Sequence, residues 1–420
     1  MRGSSIESLT ATPSIRTATP IIVGCLLVAL CEGFDLQAAG VAAGGIAKEF
    51  GPTPDQLGTF FSASTLGLFA GALVGGRLSD SFGRVRVLLL SVILFGAFSV
   101  FTATAQNVAA LSWGRLLTGA GLGGAFPNIL ALVNETSSPG RRNANVALAY
   151  GGMPFGGAVA SLLAMLITPG EWRLIFLCGG VAPLLLAPLL WWALRAANPA
   201  GPEARLGVSL QQPGAVSAAA PGSFLEIFAH GRALPTVLLW VSSFVELLTL
   251  YLLLSWLPTL LMGSGFSNHQ AAGVQIMLNL GAAGATWLLG QSLDGRGRNA
   301  GITAAFVSGP VFVLLLSMPL AGLSLVVFSA LGLGASVVSA QGFIYATAPR
   351  CYPRMIRGMG VGAVIAMGRL GSIVGPKLGG ALKAAGHSAS QLLLDILPLL
   401  VVGSVTALLL AWRTSRWRDE

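Results

Sequence analysis

The chain has 420 residues, 54% of them hydrophobic and only 9% charged, with a mean hydropathy of +0.78. That balance excludes a soluble protein of this length and marks a chain that crosses a membrane many times. The net charge of +9 does not point to nucleic acid, because most of the 24 Lys and Arg fall on one side of the span map below.

Residues 1–18, rich in Ser, Thr and Ala, read as a disordered tail without a typical cleavable signal, so the first apolar segment is expected to stay as a span. Twelve apolar windows of about 20 residues, the length that crosses a hydrocarbon core as a helix, follow. They lie near residues 20–42, 58–79, 86–104, 107–131, 144–167, 173–194, 233–261, 270–292, 300–319, 321–345, 358–382 and 391–412. Helices are required, since in lipid every backbone polar group must be satisfied within its own segment. The 56 glycines suit close helix packing. The longest polar interval holds Pro199, Pro202, Pro213 and Pro221, and it predicts a flexible linker over 196–231. It separates a six-helix half at 19–195 from a second at 232–412, with a tail at 413–420. Lys48, Arg173, Lys377 and Lys383 fall on the sparse side of the map, and Arg115 and Arg369 lie within spans. The positive-inside rule then places both termini in the cytoplasm.

Within this apolar chain the acids stand out. Glu32 and Asp35 sit mid-span in the first window, three apart and so on one helical face. An acid near the bilayer centre costs about 2.5–3.5 kcal/mol on insertion scales, so two on one face imply a cavity and a task involving protons or charge. Arg115, at a comparable depth in span four, needs an anion that its fork can grip. That anion is Asp35, a carboxylate ligand, or each in turn; a purely structural bridge is the competing reading. Arg369, near the middle of span eleven, is a candidate to hold a carboxylate ligand or to partner Glu246 in span seven. Glu246 is alternatively a second proton site. Gln341 can bond a polar group of a ligand or another helix, and Phe34, Phe155 and Tyr251 can offer aromatic surfaces.

The two halves repeat one another. Gly76, Asp80, Gly83 and Arg84 after span two recur as Gly290, Asp294, Gly297 and Arg298 after span eight, and the same displacement carries Glu32 onto Glu246. Duplicated halves are common in transporters, with the ligand site near mid-membrane between them. Asp80, Arg84, Asp294 and Arg298 read as a gate latch at the cytoplasmic ends of their helices. Ordinary positive-inside charges with turn glycines are the plain alternative. Cys25, Cys31, Cys178 and Cys351 lack metal or redox spacing, no phosphate-cradling loop with its lysine occurs, and His230, His269 and His387 lie outside or at the ends of spans. No catalytic or metal site, and so no enzyme, is expected.

The run from Gly76 to Arg86 resembles the loop motif of the major facilitator superfamily, with Ser81 and Val85 at two usually basic positions. Arg115 to Asn128 is similar to that superfamily's fourth-helix motif. Glu32-Gly33-Phe34-Asp35 resembles the span-one signature of the aromatic acid:proton symporters, with Glu32 where Asp is common. The resemblance implies an all-α fold of twelve transmembrane helices in two pseudo-symmetric halves. It further implies a monomer in the bacterial inner membrane that imports an aromatic carboxylate, such as a hydroxyphenylpropionate, with protons as coupling ion and no other cofactor. Glu32 and Asp35 would carry the protons. Proton-driven efflux of a drug or metabolite is the alternative, although Tyr150-Gly-Gly-Met-Pro154-Phe-Gly156-Gly157 departs from the span-five pattern of such antiporters.

Overall fold

The computed structural model describes residues 15–138, 140–197, 224–292, 298–318 and 322–416. Among them the chain forms twelve α-helices: α1 (Ile15–Phe50), α2 (Pro54–Phe82), α3 (Arg84–Thr104), α4 (Val108–Thr136), α5 (Arg142–Leu166), α6 (Arg173–Ala197), α7 (Ala233–Gly263), α8 (Asn268–Ser292), α9 (Arg298–Leu316), α10 (Leu323–Thr347), α11 (Arg357–Ala384) and α12 (Ala389–Arg416). Ten are long and apolar enough to cross a membrane, and α9 adds a shorter apolar stretch, Thr303–Leu316. The helices outrun their apolar windows. α1 starts at Ile15, inside the stretch read as a tail, and continues to Phe50. There Glu49 accepts hydrogen bonds from Trp172 Nε1 at 2.8 Å and Arg173 Nη2 at 2.7 Å, so a charged end is held by α6. Residues 1–14, 198–223 and 417–420, which hold most of the expected tail and linker, lie outside the described residues, as does Asp294. Of Arg298 only the backbone, at the start of α9, is described.

Helix packing repeats with a period of six. α2 lies on α4 as α8 lies on α10, and α1 on α5 as α7 on α11. α3 packs on α4 and α6 as α9 packs on α10 and α12, while α6 and α12 return to α1 and α7. Glycines make these crossings close. A Cβ at Gly67 would sit 1.9 Å from the Leu116 carbonyl oxygen, and one at Gly119 2.0 Å from that of Ser64. The equivalent crossing in the other half is built alike, with Gly281 against Leu331 O and Gly334 against Leu278 O, each at 1.9 Å. Small residues that let backbones touch are the main packing device where lipid supplies no hydrophobic drive.

The two sets of six helices meet mainly through α5 on α8, α2 on α11, and α1 on α7. The bonds across that seam gather at the end carrying the α1–α2 and α7–α8 turns. Lys377 Nζ pairs with Asp55 Oδ1 at 2.7 Å and donates to Thr59 Oγ1 at 2.7 Å. Ser62 Oγ donates to Ile373 O at 2.8 Å, and Asn268 Nδ2 to Ala164 O at 3.1 Å. Phe61 meets Trp256 edge to face at 5.2 Å between ring centroids. Deeper in the seam lies a buried amide cluster. Gln37 of α1 donates through Nε2 to Asn279 Oδ1 of α8, and its Oε1 accepts from Asn279 Nδ2 at 2.9 Å and Gln275 Nε2 at 3.0 Å. A Cβ on Gly157 of α5 would fall 2.0 Å from Gln37 Nε2, so only glycine leaves room for it. Two turns earlier on the same face of α5, Tyr150 is 40% exposed. Among the described residues the bonds across the seam are thus concentrated at one end, while Tyr150, toward the end carrying the chain termini, is exposed.

Candidate functional site

Asp35 and Arg115 are both fully buried and bound to each other. Arg115 Nη1 donates to Asp35 Oδ2 at 2.7 Å, and Nη2 divides its protons between the Asp35 carbonyl at 2.9 Å and Ser64 Oγ at 3.0 Å. Ser99 of α3 donates to Asp35 Oδ1 at 2.7 Å, and the guanidinium carbon lies 5.7 Å from the Phe176 ring centroid. Four helices therefore converge on one ion pair: α1 supplies the acid, α4 the base, α2 and α3 the hydroxyls. A buried pair stays intact only when its remaining lone pairs and protons find partners. Here Arg115 Nε alone lacks one.

Glu32, one turn earlier on α1, faces a different partner. It is buried, with Oε2 free of any hydrogen bond, and its charge interacts with that of Arg369 in α11 across the seam. Arg369 forms no ion pair among the described residues; its Nη1 donates to the Tyr251 hydroxyl of α7 at 3.2 Å. Tyr345 of α10 and Tyr150 of α5 lie within electrostatic range of the same guanidinium. Three of the chain's 4 tyrosines thus lie within electrostatic range of one cation, Tyr251 in direct contact with it. Gln341 stands one turn before Tyr345, beside its hydroxyl.

Several expected residues lie elsewhere. Phe34 packs into the interior of the first six helices, where a Cβ on Gly179 of α6 would meet its ring at 3.1 Å. Phe155 belongs to the outward stripe of α5 with Leu148, Val159 and Leu162, all exposed, which turns it away from the face that carries Tyr150 and Gly157. Glu246 is buried in α7 and is not brought to Arg369; its Oε2 has no partner. Its helix neighbours Ser242 and Ser243 bond instead to Thr406 and to the Val364 carbonyl. At the end of α2, Asp80 is exposed, and Arg84 at the start of α3 pairs with Glu135 of α4.

Sequence reasoning missed Ser64 and Ser99, the amide cluster, and the roles of Tyr150 and Tyr345. Gln275 and Asn279 did carry a signal. They are polar, four apart on one face of an otherwise apolar helix, as a seam inside a membrane requires.

The family model for the Major Facilitator Superfamily matches residues 25–376, which spans both sets of helices. This chain belongs to the Major Facilitator Superfamily. It is accordingly a multi-pass membrane transporter and not an enzyme, as its sequence motifs led one to expect. Among superfamily members it is 40% identical over 409 residues to the 3-(3-hydroxy-phenyl)propionate transporter of Escherichia coli (strain K12), covering 97% of this chain and 98% of that one. It is 32% identical to the gallate transporter of Pseudomonas putida over 87% of this chain and 86% of the other. Of solved structures, a bacterial homologue of the lysosomal transporter Spinster superposes with a TM-score of 0.72 at 19% identity, over 94% of this chain and 97% of that one. That likeness is one of fold.

Proposed function

We propose that this superfamily member is a proton-coupled symporter that imports a hydroxylated aromatic carboxylate, of which 3-(3-hydroxyphenyl)propionate is the leading candidate. The observation that carries the reading is Arg369, a cation within a span that has no carboxylate paired to it among the described residues, donates to the Tyr251 hydroxyl and has Tyr345 and Tyr150 within electrostatic range. A half-buried guanidinium in that position calls for a bidentate anion, and aromatic rings alongside suit an aromatic one. The names of the relatives agree, since both carry aromatic acids.

The chemistry follows from charge. The substrate is a monoanion, and a negative-inside membrane opposes its entry by about 2.3 kcal/mol per 100 mV. One accompanying proton cancels that term and two reverse it. Glu32 faces the same arginine as the substrate carboxylate, so the two anions compete for it. Protonated Glu32 leaves Arg369 to the substrate, and ionised Glu32 helps expel it. Asp35, locked to Arg115, is the second coupling group. Its protonation would free Arg115 from both the carboxylate and the α1 backbone it grips, and α1 is the helix that reaches across the seam through Gln37.

On this reading all twelve helices span the bacterial inner membrane, in halves bounded at 19–195 and 232–412, and the protein acts as a monomer. With both termini cytoplasmic by the positive-inside rule, the arrangement of the seam is an inward-open one, shut on the outside. Rocking of the halves then alternates access, with Asp80 and Arg84, and Asp294 and Arg298 in the repeat, as latches. Proteoliposomes under an inward-directed proton gradient should accumulate labelled 3-(3-hydroxyphenyl)propionate and lose it on addition of a protonophore. Absence of accumulation would refute the proposal.

A further inference from the structure

We propose that Gln341 selects substrates that carry a ring hydroxyl, with Tyr345 as its positioning neighbour. The inference rests on the reading above, in which Arg369 holds the substrate carboxylate. It adds which group at the other end of the ligand is recognised, and by what.

Gln341 differs from every other polar side chain among the described residues: both of its amide atoms, Oε1 and Nε2, are buried without a hydrogen-bond partner. A primary amide has two donor protons and a carbonyl acceptor, and native proteins seldom leave such groups unpaired when buried. The remaining orphans are single atoms, among them hydroxyls of Thr249, Thr259 and Thr347. The Tyr345 hydroxyl lies beside the amide yet closes no bond of normal geometry to it. Tyr345 in turn is within electrostatic reach of Arg369, Tyr150 and Tyr251. An incomplete amide therefore stands one neighbour away from the cation that takes the carboxylate.

The chemistry of the gap defines its occupant. A carboxylate occupies Arg369, and the far end of the same molecule must offer a donor to Oε1 and an acceptor to Nε2. A phenolic hydroxyl is both. An unsubstituted ring is neither, and binding it would seal the amide off from water with its partners still missing. Sites built to bond a hydroxyl reject the analogue that lacks it far more strongly than apolar pockets reject an extra methylene. Tyr345, one helical turn along α10, positions the amide by standing beside it.

The test compares 3-(3-hydroxyphenyl)propionate with 3-phenylpropionate, which differs only in lacking the hydroxyl, as labelled substrates for the full chain in proteoliposomes. The parent should favour the hydroxylated acid by at least about tenfold in kcat/KM. Gln341→Leu should reduce that preference to within about threefold, through a higher KM for the hydroxylated acid and a lower KM for the other, which no longer seals off an unpaired amide. Tyr345→Phe should give an intermediate preference. If Gln341→Leu does not assemble, Gln341→Met, unbranched and similar in length, carries the same expectation. A preference kept in the variant, or an equal loss for both acids in protein that unfolds at the parent temperature, overturns the inference while leaving the symport reading standing. A parent that carries neither acid overturns both.

Discussion

Replacing Gln37 by Leu removes the residue that binds both amides of α8 from across the seam. In the shut arrangement Asn279 Oδ1 then loses its donor and Gln275 Nε2 its acceptor. Each buried group left unpaired costs about 1–3 kcal/mol. Asn279 Nδ2 keeps its bond to Gln275 O at 2.9 Å, so the low end of that range applies, about 2–3 kcal/mol in total. With the seam parted and wet, water would satisfy the same groups, and the whole penalty falls on the shut state. At about 1.4 kcal/mol per tenfold, the ratio of shut to parted molecules should drop about 30- to 150-fold. Ser255→Cys reports on this, because Ser255 packs against Gly40 of α1 at the shut end. With Cys25, Cys31, Cys178 and Cys351 replaced, a membrane-impermeant maleimide added outside should label Ser255→Cys slowly in the parent and many times faster with Gln37→Leu. Gly157→Ala should act in the same direction with every amide intact, since its methyl would displace Gln37 Nε2. Labelling at the parent rate in both variants, with protein still folded, would refute the idea that the amide cluster holds this end shut.

Arg115→Ala should lower thermal stability in detergent by an amount equivalent to about 3–5 kcal/mol, because Asp35 would be left buried and charged; adding Asp35→Asn should recover part of it in the same unfolding assay. Arg369→Gln should keep the parent unfolding temperature yet abolish the stabilisation that saturating substrate gives, about 2.7 kcal/mol at one hundred times Kd. Glu32→Gln should abolish proton-driven accumulation while retaining exchange of labelled for unlabelled substrate, measured as counterflow. Asp80→Asn should slow transport without changing substrate affinity, as initial rates and binding titration would show.

The helices and their repeat were legible because lipid leaves the backbone few options and because the loop motif after α2 returns after α8. Charged residues within apolar windows located Glu32, Asp35, Arg115 and Arg369 for the same reason: each is too costly there to lack a purpose. Partnership was harder to read. Spacing places Glu32 and Asp35 on one face, yet one turn of helix separates an acid that faces α11 from one held by α2, α3 and α4. Nothing in the order of residues tells which neighbour each will meet. Aromatic positions were the least legible, because Phe155 facing outward and Tyr150 facing the seam are equally apolar neighbours in sequence. Glu246 shows the limit of the repeat. The displacement places it on the equivalent helix, but Arg369 interacts with Glu32 of the opposite half instead.

The groups proposed to bind protons and most of those proposed to recognise the substrate sit on different halves, Tyr150 of α5 being the exception. Asp35, Arg115 and Glu32 belong to the first six helices, while Arg369, Tyr251, Tyr345 and Gln341 belong to the last six. On the proposed reading, cargo preference can therefore drift, or be redesigned, by altering α7 and α10 around Arg369 of α11, which the coupling scheme shares and which must be kept. A chimera that joins this N-terminal half to the C-terminal half of a relative with another cargo should inherit its fuel from one parent and its taste from the other.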